Sequence, residues 1–198
     1  MVLSHERVTV RPIRRRDAAA WRSVRSRNGE WLRQWEATLP PGSSPVPPTF
    51  AGMVRESHRQ ARRGYGLPFV TTYDKRLVGQ VTVTGITWGS ARWAQIGYWV
   101  DRAVAGRGIT PTAVALVVDH CFSVVGLHRI EVAIRPENTA SLRVVEKLGF
   151  RREGEAPRYL HIDGGWRDHV LFALTAEEVG PGVLTGYLRR TGAATGDG

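Results

Sequence analysis

A glycine-rich segment, Ala105 to Thr110, lies between a run typical of a β-strand and a run typical of a helix. Glycine lets main-chain N–H groups approach a ligand closely, and a helix start carries about half a positive charge. These features predict a cradle for a pyrophosphate. The segment is too short for a Walker-type phosphate loop and lacks Gly-Lys-Ser/Thr, so we do not expect nucleotide hydrolysis, and it also lacks the third glycine of a dinucleotide fingerprint. A plain strand-to-helix turn is the alternative, and Pro111, which is favoured at a first helical position, fits it as well.

The elements that must position this segment follow from the spacing of apolar residues. The predicted strands are Val8–Ile13, Phe69–Tyr73, Leu77–Thr87, Trp93–Asp101, Arg129–Arg135, Tyr159–Ile162 and Trp166–Leu174. The predicted helices are Ala18–Arg27, Glu30–Glu36, a helix capped by Thr49 that runs through Arg63, a helix from Pro111 to Val125, and Thr139–Leu148. This order indicates an α+β fold, a mixed sheet flanked by helices. We expect one domain over residues 1–185, a loop over Pro40–Pro48 and a disordered tail over residues 186–198.

Composition indicates a globular protein with an anionic partner. The chain has 198 residues, 42% of them hydrophobic and 23% charged, and a net charge of +10. Among the basic residues only Lys75 and Lys147 are lysines, and arginine suits phosphate and carboxylate groups. The candidate partners are nucleic acid, a phosphorylated cofactor or an acidic protein surface. Codon bias in a GC-rich genome explains much of the arginine excess equally well.

The single cysteine, Cys121, excludes an internal disulfide and lies in an apolar run, so we expect a buried thiol rather than a nucleophile. No Cys/His cluster has the spacing of zinc ligands, and we expect no metal. Residues 1–16 have no apolar segment typical of a secretory signal, and no apolar stretch of about 18 residues occurs. The sequence therefore predicts a cytoplasmic protein without membrane contact.

The segment from Glu137 to Phe150, Glu-Asn-Thr-Ala-Ser-Leu-Arg-Val-Val-Glu-Lys-Leu-Gly-Phe, is the most specific motif. With the hairpin that follows it, this segment resembles the GNAT superfamily of acetyl-CoA-dependent N-acetyltransferases, in particular the RimJ/RimL branch that acetylates protein N-termini. The resemblance extends over Val8–Leu174. It implies a mostly antiparallel sheet split at a bulge, with the pantetheine arm of acetyl-CoA paired to the open strand at Trp99 and Val100.

The resemblance also implies a set of cofactor-binding residues. The pyrophosphate is expected on the amides of Gly106, Arg107, Gly108, Ile109 and Thr110, with charge from Arg102 or Arg107. The family pattern has Arg or Gln where this chain has Ala105, and Gly or Ala where it has Thr110. Because main-chain N–H groups do most of the binding, we expect these departures to weaken affinity rather than abolish it.

By the same resemblance, Asn138 helps hold the pantetheine, and Ser141 lies near the cofactor sulfur and returns a proton to the leaving thiolate. Because serine is not a strong acid, we expect Ser141 to act by hydrogen bonding to the developing thiolate, whose negative charge a helix start stabilises. A helix cap explains Asn138 equally well, and Ser141 is otherwise a solvated first-turn residue.

The oxyanion donor is expected to be a main-chain N–H of Trp99 or Val100. Candidate proton acceptors are Glu30, Glu36 and His161, and candidate substrate-binding residues are Trp31, Trp35 and Tyr159. Trp31 and Trp35 are otherwise a core pair, and Asp168 and His169 are expected to support the sheet.

The expected reaction is direct attack of a neutral amine on the thioester. A protein α-amine has a pKa of about 7.7 to 8.0, against about 10.4 for lysine, so it needs little help to deprotonate. The strand Trp93–Val100 carries no carboxylate, which favours a protein N-terminus as acceptor, most simply that of a ribosomal protein.

Two alternatives stay open. One is acetylation of a small amine such as an antibiotic, a polyamine or an amino acid. The other is a ribosome- or RNA-binding protein with a vestigial acetyl-CoA site, to which the basic helix through Arg55 and Arg63 points; an active enzyme could also contact rRNA through this surface. Steeply salt-dependent RNA binding without turnover would favour the RNA-binding protein. The sequence leaves a monomer and a homodimer equally open.

Overall fold

The computed structural model describes residues 1–43 and 49–192. The helices are α1 (Ala18–Arg27), α2 (Gly29–Arg33), α3 (Phe50–Arg62), α4 (Ile109–His120), α5 (Thr139–Leu148) and α6 (Val183–Thr191). The strands are β1 (Leu3–His5), β2 (Val8–Pro12), β3 (Gly66–Tyr73), β4 (Arg76–Thr87), β5 (Trp93–Val100), β6 (Arg129–Ile134), β7 (Arg151–Ile162) and β8 (Gly165–Thr175). Short 3₁₀ turns cover Arg15–Asp17, Arg102–Val104 and Ala176–Glu178, and α4 continues into a π turn over Cys121–Val125.

Within the described residues the strands form one mixed sheet in the order β1-β2-β3-β4-β5-β6-β8-β7. Every neighbouring pair is antiparallel except β5 and β6. This parallel pair is joined only where Trp93–Gln95 lies beside Arg129–Glu131, and beyond these residues β5 and β6 do not pair with each other. The β4–β5 ladder also shifts register between Thr84 and Thr87. The predicted α+β fold with a split, mostly antiparallel sheet is confirmed.

Helices cover both faces of this sheet. Phe69 of β3 belongs to the apolar cluster that contains α4, whereas its neighbour Val70 packs with Val24 of α1 and Val54 of α3. Since successive side chains of a strand point to opposite faces, α4 lies on one side and α1 and α3 on the other. α4 is buried along nearly its whole length, and both α5 and α6 pack against it.

Several element boundaries differ from the predictions. β1 was not predicted, and β7 begins at Arg151 rather than Tyr159, so the closing hairpin is longer than expected. α2 ends at Arg33, so Trp35 lies in the turn after it. The predicted cap of α3 is confirmed, because the Thr49 side chain accepts a hydrogen bond from the Gly52 N–H.

The predicted disordered tail, residues 186–198, is wrong for its first part. Residues 186–191 belong to α6, whose Tyr187 is buried in the main core. The Asp119 carboxylate accepts from the N–H groups of Val183 and Leu184 at 2.6 and 3.1 Å, and so caps α6 from another helix. A cap so distant in sequence leaves no local signal. The tail from residue 193 onward, and residues 44–48 of the predicted Pro40–Pro48 loop, lie outside the described residues.

The structure bears on two further predictions, a buried thiol at Cys121 and the lack of a membrane-spanning helix. Cys121 is fully buried, and burial raises the pKa of its thiol to about 12, which makes it a poor nucleophile. Among the described helices, none combines the length and the apolar character needed to cross a bilayer.

Candidate active site

A cleft of about 730 Å³ opens where β5 and β6 separate. One wall is the end of β5, and the other walls come from the segment before α4, the start of α5, and α2 with the turn after it. The cleft therefore brings together the glycine-rich segment, the start of the Asn138 helix and the predicted tryptophan pair, which are far apart in the sequence.

The open edge of β5 exposes the main-chain groups of alternate residues. The Asp101 N–H donates to the Val78 carbonyl on β4 at 2.7 Å, so Asp101 faces β4. Because these directions alternate along an antiparallel strand, Trp99 also faces β4, whereas Tyr98 and Val100 direct their N–H and C=O groups towards the split. Of the two predicted oxyanion donors, Val100 lies on the open edge. The prediction for the Trp99 main chain is wrong, because its N–H is turned into the β4–β5 ladder.

The glycine-rich segment adopts a conformation that requires its glycines. Gly106 and Gly108 have φ values of +81° and +74°, in the left-handed region that other residues avoid. At Gly108 a side chain would also place its Cβ 3.2 Å from the Tyr187 hydroxyl of α6. The segment thus turns the chain sharply from β5 into α4 along the cleft.

α4 begins two residues earlier than predicted, at Ile109, with Gly108 as the residue before it. The Thr112 N–H closes the first helical turn on the Gly108 carbonyl at 3.1 Å, and Pro111 has no N–H to offer. The N–H groups of Ile109 and Thr110 are therefore the helix-start donors that an anion in the cleft can use. Both residues line the cleft.

Asn138 and Ser141 lie together at the start of α5 and line the cleft. The Asn138 Oδ1 accepts from the Ser141 N–H at 3.1 Å, so Asn138 caps the helix. The Ser141 Oγ donates to the Tyr98 hydroxyl at 2.9 Å, and this hydroxyl donates in turn to the Ser141 carbonyl at 3.3 Å. Two hydrogen bonds to Tyr98 thus hold the Ser141 hydroxyl at the open edge of β5.

Tyr98 is a site residue that the sequence reasoning missed. Burial raises the pKa of its hydroxyl well above the ordinary range, and the hydrogen bond from Ser141 only partly offsets this effect. The group therefore stays protonated and acts as a donor at physiological pH. The alternation of β5 indicates that Tyr98 and Trp99 face opposite sides, but no sequence pattern pairs Tyr98 with a helix 43 positions later.

The opposite wall carries two of the predicted substrate-binding residues, Trp31 and Trp35. Both rings are half-buried and line the cleft, so they do not form a core pair. The guanidinium of Arg102 lies over the Trp31 ring at 5.3 Å, and that of Arg135 lies over the Trp35 ring at 5.5 Å. These two cation–π contacts stabilise the positions of the Trp31 and Trp35 rings in the wall of the cleft.

Glu36 lies on the same wall and is tied to α1. Both of its carboxylate oxygens accept hydrogen bonds from the guanidinium of Arg25, one of them at 2.6 Å. Arg25 itself lies over the rings of Trp21 and Trp99, at 5.4 and 5.3 Å. This paired geometry fixes the orientation of the carboxylate.

The geometry of the cleft agrees with the comparisons to known proteins. The model of the acetyltransferase (GNAT) domain matches residues 7–151. The chain belongs to the GNAT acetyltransferase family. It is 34% identical to a probable N-acetyltransferase, YjcK, of Bacillus subtilis (strain 168), over 87% of this chain and 96% of that protein. It is 31% identical to the [ribosomal protein uS5]-alanine N-acetyltransferase of Escherichia coli (strain K12), over 91% and 93%.

A solved structure of Mycobacterium smegmatis RimJ, in complex with CoA-disulfide, superimposes with a TM-score of 0.86 at 42% identity. The match covers 93% of this chain and 89% of that chain. This GNAT protein is therefore an N-acetyltransferase of the RimJ/RimL type, as the sequence predicts.

In this GNAT acetyltransferase, two predicted proton acceptors lie outside the cleft lining. Glu30 is exposed on α2, and the His161 ring nitrogen Nδ1 lies 2.7 Å from the Thr38 hydroxyl. Of the three candidates, only Glu36 lines the cleft. The turn after Arg33 brings Glu36 into the wall, and a continuous Glu30–Glu36 helix would not have predicted this placement.

The hairpin residues have structural partners instead. The Tyr159 hydroxyl accepts from the Gln95 side chain at 2.9 Å, and the Tyr159 ring packs edge-on against His169. Asp168 accepts from the Arg158 N–H at 2.7 Å, which agrees with its predicted support of the sheet. Tyr159 is not part of the cleft lining, so its predicted contact with substrate has no support in this geometry.

The cations around the cleft also differ from the prediction. Arg102 and Arg107 are exposed and do not line it, whereas Arg143 and Lys147 do. These two residues are four positions apart on α5, so they lie on one face of that helix. The spacing was readable in the sequence, but nothing in it showed that this face borders the glycine-rich segment.

Asp101 fixes the end of β5 to α1. Its buried carboxylate accepts from the Asn28 side chain at 2.8 Å and pairs with Arg27, and Asn28 in turn accepts from the Arg102 N–H at 3.0 Å. Burial alone would raise the pKa of Asp101, but these hydrogen bonds outweigh it and the pKa lies below its usual range. The network sets where the chain leaves the open strand and enters the glycine-rich segment.

Proposed function

We propose that this chain transfers an acetyl group from acetyl-CoA to the N-terminal α-amine of a protein, and that the acceptor is a ribosomal protein. The observation that carries the proposal is the cleft itself. It joins the open edge of β5 and the start of α4 to a wall made of Trp31, Trp35 and Glu36. The name of the Escherichia coli relative, a [ribosomal protein uS5]-alanine N-acetyltransferase, supports the choice of acceptor.

The residues around the glycine-rich segment fit acetyl-CoA. The N–H groups of Ile109 and Thr110 at the helix start would hold the pyrophosphate, and Arg143 and Lys147 on the rim would supply positive charge. The open-edge groups of Tyr98 and Val100 would pair with the amides of the pantetheine arm. When bound, acetyl-CoA supplies an acetyl group activated as a thioester.

The remaining chemistry falls to residues of the chain. The acceptor amine attacks the thioester carbonyl, so that a carbon–nitrogen bond forms, the carbon–sulfur bond breaks and one amine proton leaves to water. An N–H on the open edge of β5, that of Val100 or Tyr98, stabilises the oxyanion. The Ser141 hydroxyl donates its proton to the leaving thiolate and takes back a proton from the water that received the amine proton, so Ser141 ends the reaction as a neutral hydroxyl. During this transfer Tyr98 turns its O–H from the Ser141 carbonyl onto the Ser141 Oγ.

The charges of the cleft favour an α-amine as acceptor. Among the described residues, two carboxylates line the cleft, and both are ion-paired, Glu36 with Arg25 and Glu137 with Arg135. Both carboxylates are thus already engaged by arginine, whereas an α-amine with a pKa of about 7.7 to 8.0 is partly neutral without a base. Glu36 would attract and orient the acceptor amine in its charged form before that amine loses a proton.

The test is release of CoA thiol from acetyl-CoA with peptides that begin with Ala, Ser, Thr or Met. We expect turnover with some of these peptides and none with the same sequences carrying an acetylated N-terminus and an internal lysine. Ser141→Ala should lower kcat by about tenfold or more while the KM for acetyl-CoA changes little.

Three results would contradict the proposal. Turnover confined to small amines would move the enzyme to the small-molecule class. Equal turnover with the blocked, lysine-containing peptides would make lysine the acceptor. Binding of acetyl-CoA without turnover on any peptide, including peptides copied from ribosomal-protein N-termini, would remove the catalytic claim.

A further inference from the structure

The net positive charge is confined to one part of the chain. Residues 1–92 contain sixteen arginine and lysine residues against six acidic residues, whereas residues 93–198 contain twelve of each. Codon bias would enrich arginine everywhere but would not remove acidic residues from one part alone. The segments that would bind acetyl-CoA, from β5 to α5, lie in the neutral part, so binding of this cofactor does not explain the excess.

Much of the excess lies on one exposed surface formed by α3 and the turn before α1. Arg55, Arg59 and Arg62 recur at steps of four and three on the solvent side of α3, while Val54 packs under the helix. The His58 ring lies 2.7 Å from the Ile13 carbonyl, which places the exposed residues 14–16, all arginine, beside this helix.

Among the described residues, most of these arginines form no salt bridge. Arg59 forms a salt bridge with Glu56 of the same helix, but within the described residues no salt bridge is made by Arg55, Arg62 or Arg63. The helix dipole favours cations in the last turn, which accounts for Arg62. It does not account for Arg55 in the second turn, nor for the arginines before α1.

Two exposed aromatic rings border the end of this basic surface. Tyr65 is 52% exposed and Trp88 is 42% exposed. The Trp88 ring N–H donates to the Gly64 carbonyl at 3.0 Å, and the Tyr65 carbonyl accepts from the Ile86 N–H at 3.2 Å. The Trp88 ring and the Tyr65 main chain are thus fixed close to Arg63 in the chain, and much of each ring is open to solvent.

We propose that Arg55, Arg62, Arg63, Tyr65 and Trp88, here called the α3 surface, bind single-stranded RNA. Unpaired cations neutralise the phosphate backbone, and exposed rings beside them stack on unpaired bases. An acidic protein would use the arginines but would gain little from the rings, and therefore the observations favour RNA. None of the five residues lines the cleft, so RNA and acetyl-CoA would bind at separate places, and the inference does not depend on the proposed acceptor.

The test is fluorescence anisotropy of a labelled single-stranded RNA of about 20 mixed-sequence nucleotides, titrated with the full chain at several salt concentrations. We expect binding that weakens steeply with salt. The Arg55→Gln, Arg62→Gln, Arg63→Gln variant should lose affinity, and the slope of log K against log salt should be less steep by about 2, since each lost phosphate contact is worth about 0.7. Tyr65→Ser should weaken binding by about fivefold or more with the salt slope unchanged, because stacking does not release counterions.

The matched control removes the same charge from the neutral part, through Arg158→Gln, Arg167→Gln and Arg189→Gln, three exposed positions. RNA binding lost equally in this control, or absent from the wild type at low salt, would overturn the proposal. Equal binding of poly-glutamate that depends on the three arginines but not on Tyr65 would assign the surface to an acidic protein instead. CoA release measured on the same variants should be unchanged, so failure of either proposal can be told from failure of the other.

Discussion

Replacement of Tyr98 by Phe tests whether the hydrogen bond to Ser141 takes part in acetyl transfer. The change deletes one hydroxyl and keeps the ring that packs beside the core. It removes both the 2.9 Å bond from the Ser141 Oγ and the 3.3 Å bond to the Ser141 carbonyl. The Asn138 cap of α5 is left intact, so the helix start should keep its position.

The size of the effect follows from the kind of bond that is lost. A neutral hydrogen bond of this geometry is worth about 0.5 to 1.5 kcal/mol, which corresponds to about a twofold to twelvefold change in rate. The loss should appear in kcat, because in the proposed mechanism the serine proton is needed only when the thiolate leaves. The KM for acetyl-CoA should stay nearly constant, since the Tyr98 main chain, which lies on the open edge, is unchanged.

A double-mutant cycle with Ser141→Ala separates a shared role from two independent ones. If Tyr98 acts through Ser141, the double variant should be no slower than Ser141→Ala alone. Tyr73→Phe is the matched control, because Tyr73 is half-buried on β3 away from the cleft. An unchanged kcat in Tyr98→Phe, or effects of the two substitutions that multiply, would refute the reasoning.

Three further substitutions test the elements that support the site. Asp101→Asn should lower the free energy of unfolding, measured by urea titration, by about 2 kcal/mol at neutral pH. Because folding lowers the pKa of Asp101, the wild type loses this advantage as the carboxylate is protonated, and the difference between the two proteins should shrink as the pH falls below about 4. Gly79→Ala places a Cβ 2.4 Å from the Trp99 carbonyl oxygen, so it should reduce thermal stability and turnover together, whereas Gly154→Ala, with open space around it, should do neither. Asp119→Ala should cost about 1 kcal/mol and expose α6 to limited proteolysis, because two capped N–H groups lose their acceptor; a protease pattern like that of the wild type would contradict this capping role.

Features set by local physics were predictable from the sequence. The cap of α5 by Asn138 and the cap of α3 by Thr49 both depend on a side chain and an N–H three residues away, and both occur as expected. The left-handed glycines before α4 likewise follow from a turn that other residues cannot make. Such features need no knowledge of what packs against them.

Features set by partners distant in sequence were not predictable. Asp119 caps α6 over 64 positions, and Tyr98 meets Ser141 over 43, and neither separation leaves a period in the sequence. Glu36 lines the cleft and Glu30 does not, because α2 ends at Arg33. When a helix ends a few residues earlier than predicted, the side chains after its end point in other directions. Local pattern thus located the elements of the site, while the identity of several of its residues depended on how those elements pack.

The register of β5 against β4 decides which main-chain N–H groups of β5 face the split in the sheet. One hydrogen bond, from Asp101 to Val78, fixes the direction of every other N–H along the strand. The sequence places Trp99 and Val100 at the right position but leaves open which of them faces the split, and the two choices differ only by a shift of one residue. Because Tyr98 and Val100 share the open edge, the strand that would present N–H groups to the thioester also carries the phenol that holds Ser141. Oxyanion stabilisation and thiolate protonation would therefore depend on one register, that of β5 against β4, which Gly79 permits by letting the two backbones approach closely.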